Sequence, residues 1–339
     1  MCIRDRYISG FTGSAGYLLI SQQQSILCTD FRYIEQAAQQ SPDFEIVHIT
    51  GGLDWLKSFI SGNRIKNVGF ESNQMSVDSH ANIVSAFKDL ADTPEAISLI
   101  PAPNLVEELR SIKYPDELDI ITRAIEISDE AFAQVAPTIE PGQTESDVAW
   151  RLEKAMRELG AESVSFETIV ATGPNAALPH HRPSDQQIRE GEPLIIDMGA
   201  RYKGYCSDLS RTLCLGQQDE TFRKVYDTVL GAQLTAITTV TEGMTGAEAD
   251  ALARKVIAEA NYGENFGHSL GHGVGLAVHE QPGVGPRSAN KLSNQMAFTI
   301  EPGIYISGWG GVRIEDIVFL ENGKAKVISK APKLNMRGS

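Results

Sequence analysis

Cysteine is scarce in this chain of 339 residues: there are four, and no two have C-x-x-C spacing. A thiolate zinc finger is therefore excluded. Cys206 and Cys214 fall on one predicted strand, which puts them ~26 Å apart at ~3.3 Å per residue, far beyond disulfide reach. The thiols read as free in a reducing compartment, and a cytoplasmic protein is expected. Long apolar runs are missing too. No stretch approaches the ~20 residues of a membrane span, so no membrane association is expected. Basic residues are outnumbered, 30 Lys and Arg against 44 Asp and Glu, for a net charge of −14. No basic stripe offsets that charge, which argues against a nucleic-acid partner. It does suit the capture of cations.

What is present is ordinary for a soluble protein of two domains, with 42% hydrophobic and 22% charged residues. The opening MCIRDR has neither a signal core nor a transit pattern. We read residues 1–6, Cys2 included, as foreign, because one frame of a common sequencing adapter encodes Met-Cys-Ile-Arg-Asp. The tail after Ala331 is read in the same way. Residues 1–104 read as a small α/β domain. Strands are predicted at Tyr17 to Ile20, Ile26 to Thr29, Phe44 to Ile49 and Asn67 to Phe70, and helices at Tyr33 to Gln40, Leu53 to Ile60 and Val77 to Leu90. No catalytic constellation is visible there. Pro101 and Pro103 mark a boundary, and residues 105–331 form the second domain, whose long helix opens at Pro115 with acids in its first turn.

The second domain repeats itself. Glu140 to Gly160 matches Thr241 to Asn261 at an offset of 101, with Gly142 on Gly243, Thr144 on Thr245 and Lys154 on Lys255. Ile196-Asp197-Met198-Gly199 matches Ile300-Glu301-Pro302-Gly303 at an offset of 104. Thr-x-x-acid is a general helix-capping pattern, so shared local chemistry is the competing explanation. Duplication would give two halves, each a helix, a turn, a second helix and an acid-bearing hairpin, with both acid pairs at one centre.

Those acids carry the chemistry. Asp197 and Asp208 lie about a midpoint between Tyr202 and Lys203, so a tight hairpin there would set them face to face. Glu301 and Glu315 lie about Gly308 in the same way. Like charges opposed across neighbouring strands destabilise a sheet unless a cation lies between them. A bulge at Gly204 would shift the first register. Most Asp and Glu are solvated, but Asp197, Glu301 and Glu315 sit in apolar strands, where carboxylates need partners.

In FGHSLGHGVGLAVHE, His268 and His272 have helical spacing, yet Gly267, Gly271, Gly273 and Gly275 oppose a helix. Glycine there lets the backbone approach a crowded centre, with one imidazole ligating and others lining a pocket. Four carboxylates and one imidazole favour two Mn²⁺, with Co²⁺, Fe²⁺ or Zn²⁺ compatible. Two ions ~3.5 to 4 Å apart lower the pKa of a shared water and polarise a carbonyl, so hydrolysis is expected.

DMGARYKGYCSDLSRT, GHGVGLAVHE, IEPGIY and VRIED closely resemble the signatures of pita-bread metallopeptidases, specifically bacterial Xaa-Pro aminopeptidases. YISGFTGSAGYLLI and TDFRYIEQA are similar to the creatinase-type amino-terminal domain of aminopeptidase P and prolidase, and relative to that domain about a strand and a helix are missing before Tyr7. The resemblance implies an α/β fold of two pseudo-symmetric halves behind a small α/β domain. It implies a homodimer acting on peptides with proline at the second position, with release of the residue before it. It places Asp197 on one ion, His272 and Glu301 on the other, and Asp208 and Glu315 between them. Glu301 would also shuttle the proton. His279 and His268 would serve the substrate carbonyl, with His180 and Arg313 on the pocket wall; charge balance for the buried acids is the other reading of Arg313. Aminopeptidase P is preferred to prolidase on the FTGSAG-type domain. Five intact ligands disfavour a metal-free creatinase and a non-catalytic binding module.

Overall fold

Short apolar runs between polar turns form strands close to where their alternation places them. The computed structural model describes residues 3–90 and 96–333; Cys2 and the end of the tail fall outside them. The chain divides into two compact units, Met1–Arg110 and Ser111–Ser339. In the first, Tyr17–Ile20, Ser25–Thr29 and Glu45–His48 form one sheet, and Asn67–Phe70 pairs in parallel with Ser98–Pro101. Helices Ile34–Gln40, Asp54–Gly62 and Val77–Ala86 cover them. The third helix stops short of the predicted Leu90, giving way to a tighter turn at Lys88–Leu90. Phe11, Leu27 and Ala37 form one core, and Leu56, Ile60 and Phe87 another. Arg4, inside the segment read as foreign, pairs with Glu71 at 2.9 Å and Glu107 at 3.3 Å.

The second unit repeats in space what it repeats in sequence. Its long helices are Pro115–Val135 and Glu220–Thr239, each followed by a shorter one, Glu145–Glu158 and Gly246–Glu259. Thr144 and Thr245 cap the shorter pair through matching capping boxes with Asp147 and Glu248. Shared capping chemistry accounts for the caps but not for the strap that each half bonds to them, residues 184–188 in one and 288–292 in the other. Gly142 N–H donates to the Ile188 carbonyl at 2.9 Å and Gly243 N–H to Leu292 at 2.8 Å, so the match reaches tertiary partners over 40 residues away. Each half has its own apolar core, one around Leu152, Val170 and Ile196, the other around Val229, Phe298 and Val318.

Each half also carries an antiparallel sheet. The first runs Leu209–Cys214, Pro193–Met198, Ile169–Thr172; the second runs Glu280–Val284, Gly271–Gly273, Ala297–Ile300, Asp316–Glu321, Lys324–Val327. They are stitched together where the metal-type acids lie. Glu315 N–H donates to the Ser210 carbonyl at 3.1 Å, and Arg313 N–H to Thr212 Oγ1 at 3.0 Å.

Candidate metal centre

The first hairpin does not pair as its midpoint predicts. Lys203 and Gly204 have φ of +46° and +85°, so these two are the turn, and Tyr202 faces Tyr205. A two-residue turn with both centres left-handed matches the twist of a hairpin, and glycine favours it. Asp197 is therefore opposite Ser210, and the single strand expected through Cys206 and Cys214 breaks at Ser207 and Asp208. Asp208 moves by two residues relative to Asp197, which keeps its side chain on the same face because strands alternate with period two. The second hairpin keeps the expected register: Gly303 faces Arg313 and Ile300 faces Asp316, so Glu301 and Glu315 come opposite each other where the pairing is interrupted.

No helix forms around His268 and His272. Gly271–Gly273 is a short strand, and a Cβ on Gly271 would lie 2.0 Å from the Thr299 carbonyl oxygen. Glycine there lets the His272 backbone press against the strand that leads into Glu301. Thr299 Oγ1 accepts from His272 N–H at 3.1 Å and donates to Glu301 Oε1 at 3.1 Å. His272 Nδ1 lies 3.2 Å from the Gly273 carbonyl, which directs Nε2 inward, 3.2 Å from Glu301 Oε1 and 3.7 Å from Asp208 Oδ2. Ligand atoms of Asp208, His272 and Glu315 all lie within 4.8 Å of one another.

All nine sequence-predicted residues, Asp197, Asp208, His272, Glu301, Glu315, His180, His268, His279 and Arg313, line one cavity of about 690 Å³. His279 packs its ring against that of His272, centroids 4.2 Å apart. Both nitrogens of His268 are engaged within the protein, Nδ1 with the Ser269 carbonyl at 2.8 Å and Nε2 with Tyr305 Oη at 3.0 Å. Arg313 donates through Nη2 to Asp197 Oδ2 at 2.6 Å, through Nη1 to Tyr305 Oη at 2.8 Å and through Nε to Ser210 Oγ at 2.8 Å. Those are the contacts of a charge partner for a buried acid. Tyr305 and Thr299 were not singled out from the sequence. Tyr305 follows Glu301 by four residues, an even spacing that leaves both on one face, and that was the available signal.

Electrostatics asks for cations here. Four buried or half-buried carboxylates face one guanidinium. Burial, then repulsion from neighbouring carboxylates, pushes Asp208 and Glu315 well above the ordinary carboxylate range. Asp197 is raised by burial despite Arg313, and its Oδ1 is buried without a hydrogen-bond partner. Burial works against Glu301 too, but the His272 hydrogen bond and charge outweigh it and keep it low. Burial lowers His268 and His279, so both favour the neutral ring. An orphaned carboxylate oxygen, converging acids and an imidazole aimed among them fit divalent cations of intermediate hardness.

Residues 119–322 match the model of Metallopeptidase family M24, and residues 4–112 that of the Creatinase/Prolidase N-terminal domain. The chain is 44% identical over 334 residues to an uncharacterized peptidase, YqhT, of Bacillus subtilis, covering 97% of this chain and 91% of the relative. Among solved structures, an Xaa-Pro dipeptidase from Bacillus anthracis is similar with TM-score 0.92 and 43% identity, covering 98% of this chain and 92% of that one. An X-Pro aminopeptidase from Thermotoga maritima has TM-score 0.88 and 40% identity over the same shares.

Proposed function

Because the chain belongs to metallopeptidase family M24, with the pita-bread fold of two pseudo-symmetric halves following a creatinase-type domain along the chain, we propose that it cleaves Xaa-Pro bonds and prefers dipeptides. The observation that carries this reading is the convergence of Asp208, His272 and Glu315 within 4.8 Å, beside Asp197 and Glu301, in one cavity. Asp197, Asp208, His272, Glu301 and Glu315 would hold two divalent ions, Mn²⁺ foremost given the oxygen-rich set. When bound, the ions activate a water and polarise the scissile carbonyl.

The chain's own residues supply the rest. Glu301, kept ionised by His272, accepts a proton from the attacking water and returns it to the proline nitrogen as the C–N bond breaks. His279, favoured neutral, donates a hydrogen bond to the carbonyl oxygen as charge develops there. His180 lines the cavity beside the substrate. Arg313 pairs with Asp197 at 2.6 Å and holds its carboxylate in place. His268, bonded to Tyr305, buttresses the wall.

Proline specificity is supported by the likeness to an Xaa-Pro dipeptidase and an X-Pro aminopeptidase. Dipeptides come first because the solved structure of higher likeness is named a dipeptidase, which reverses the order expected from the amino-terminal motif. Aminopeptidase action on longer peptides is the second reading, favoured by a cavity of about 690 Å³ that a dipeptide only partly fills. Buried thiols at Cys28 and Cys206, neither in a disulfide, support a reducing, cytoplasmic setting. No helix among the described residues is long and apolar enough to cross a membrane. Homodimer assembly is retained from the resemblance alone.

Hydrolysis of Ala-Pro and Arg-Pro-Pro, each with Mn²⁺ and with a chelator, tests the proposal. Metal-dependent cleavage of Ala-Pro alone is expected. Cleavage of both would move the assignment to an aminopeptidase, and cleavage of neither by protein with bound metal would sink both readings.

A further inference from the structure

Glu145 is fully buried at the first position of the helix Glu145–Glu158, and five donors converge on its carboxylate. Oε1 accepts from Thr172 N–H at 2.8 Å and Asn175 Nδ2 at 3.0 Å. Oε2 accepts from Ser184 N–H at 3.0 Å and Ser184 Oγ at 2.6 Å, and lies 2.8 Å from His181 Nε2. Burial alone would raise this carboxyl; the bonds from Ser184, Asn175, Thr172 and His181 reverse that and keep it ionised. A cap at this helix needs none of it, since Thr144 and Asp147 already make a complete capping box.

The five donors bracket one loop, from Thr172 to Ser184, and its middle forms a wall of the cavity. Pro179, His180, His181 and Arg182 line that wall, and the Pro179 carbonyl accepts from Arg313 Nη1 at 3.3 Å. The other half of the molecule provides an internal control. Glu145 N–H donates to Gln186 and Ser146 N–H to Ser184, and the repeat-related Gly246 and Ala247 donate to Asn290 and Ser288. Where the first half has Glu145, the second has Gly246, whose Cβ would lie 2.2 Å from the Gly283 carbonyl oxygen. That half holds its strap by direct backbone approach and needs no clamp. The carboxylate occurs only in the half whose loop carries His180.

We propose that Glu145 is a positioning residue: it clamps the loop 172–184 so that His180 and the Pro179 carbonyl hold their places in the cavity wall. It touches no substrate and acts through the loop. The proposal rests on the cavity being the peptidase site.

The test is E145Q in the full chain with Mn²⁺. The amide is isosteric, but its NH₂ meets donors where an oxygen stood. Backbone hydrogen exchange over 173–184 should rise at least about tenfold, with the rest of the second unit and the number of bound Mn²⁺ unchanged. Hydrolysis of Ala-Pro should fall about tenfold in kcat/KM, and E145Q should cost less in the H180A background than in the wild type, the non-additivity of residues acting in series. Unchanged exchange in the loop, or losses that add in the double variant, would overturn the proposal. If the wild-type chain leaves Ala-Pro intact, the peptidase reading fails, and the exchange measurement still decides whether Glu145 clamps the loop. Should E145Q not fold, S184A removes a single donor and should raise exchange in the same loop by a smaller factor; no rise there counts against the clamp.

Discussion

One hydroxyl holds two side chains of the cavity in place. Tyr305 Oη accepts from Arg313 Nη1 at 2.8 Å and lies 3.0 Å from His268 Nε2, and burial pushes the phenol up to about 12, so it stays protonated. Y305F leaves a donor of Arg313 unmet; we expect a loss of about 1–2 kcal/mol in stability and roughly tenfold in kcat/KM on Ala-Pro. Urea unfolding and steady-state kinetics check both. The raised carboxyls predict a pH effect at the same scale. Asp208 and Glu315 sit well above, and His272 above, their ordinary values, so the metal-free fold holds protons that divalent ions must displace. Stability from those protonated groups is fully present below their unfolded values and is lost as pH rises through the folded ones. Glu301 is lowered and contributes nothing to this window. His268 and His279 are lowered and act oppositely near neutrality, but they are not ligands and largely cancel from a metal-minus-apo difference. The rise in Tm on adding Mn²⁺ should therefore be larger at pH 8 than at pH 5.5. An equal rise at both would contradict proton displacement.

At the scale of elements, the first hairpin shows where reading the sequence stops. Its acids, its glycine and its apolar flanks were legible, but the midpoint was placed one residue early because turn chemistry, not symmetry between the acids, sets register. Lys203 and Gly204 take left-handed φ of +46° and +85°. Gly204 was the visible cue. In the second hairpin the wider turn at Gly308 is centred where the acids imply, so both criteria agree and the register was legible. The helix caps at Thr144 and Thr245 were legible for the same reason, being local. Glu145 and Thr299 were not, because their roles depend on partners brought close only by folding. G204V forces a β-branched residue to positive φ. We expect a loss of at least about 1 kcal/mol and weaker Mn²⁺ binding, since the turn leads directly into Asp208. Unfolding curves and calorimetric titration would show it; unchanged values for both would mean that the turn does not place Asp208.

At the scale of the molecule, two similar halves put acids from different sheets into one cavity, and the Glu315 N–H to Ser210 bond at 3.1 Å ties the halves there. An ion held by both Asp208 of one half and Glu315 of the other would bind the folded state alone. Mn²⁺ at a hundred times its Kd should then add about 2.7 kcal/mol per site to stability. Scanning calorimetry of the second unit's transition measures this. The central claim, a two-ion hydrolytic site, is tested most directly by titrating chelated protein with Mn²⁺ while following Ala-Pro hydrolysis, beside D208N. We predict activity that rises from zero and levels off at two equivalents, and a variant that loses at least about a hundredfold in activity together with tight stoichiometric binding. Full hydrolysis by the chelated protein, or a D208N variant that binds and cleaves as the wild type does, would contradict the account.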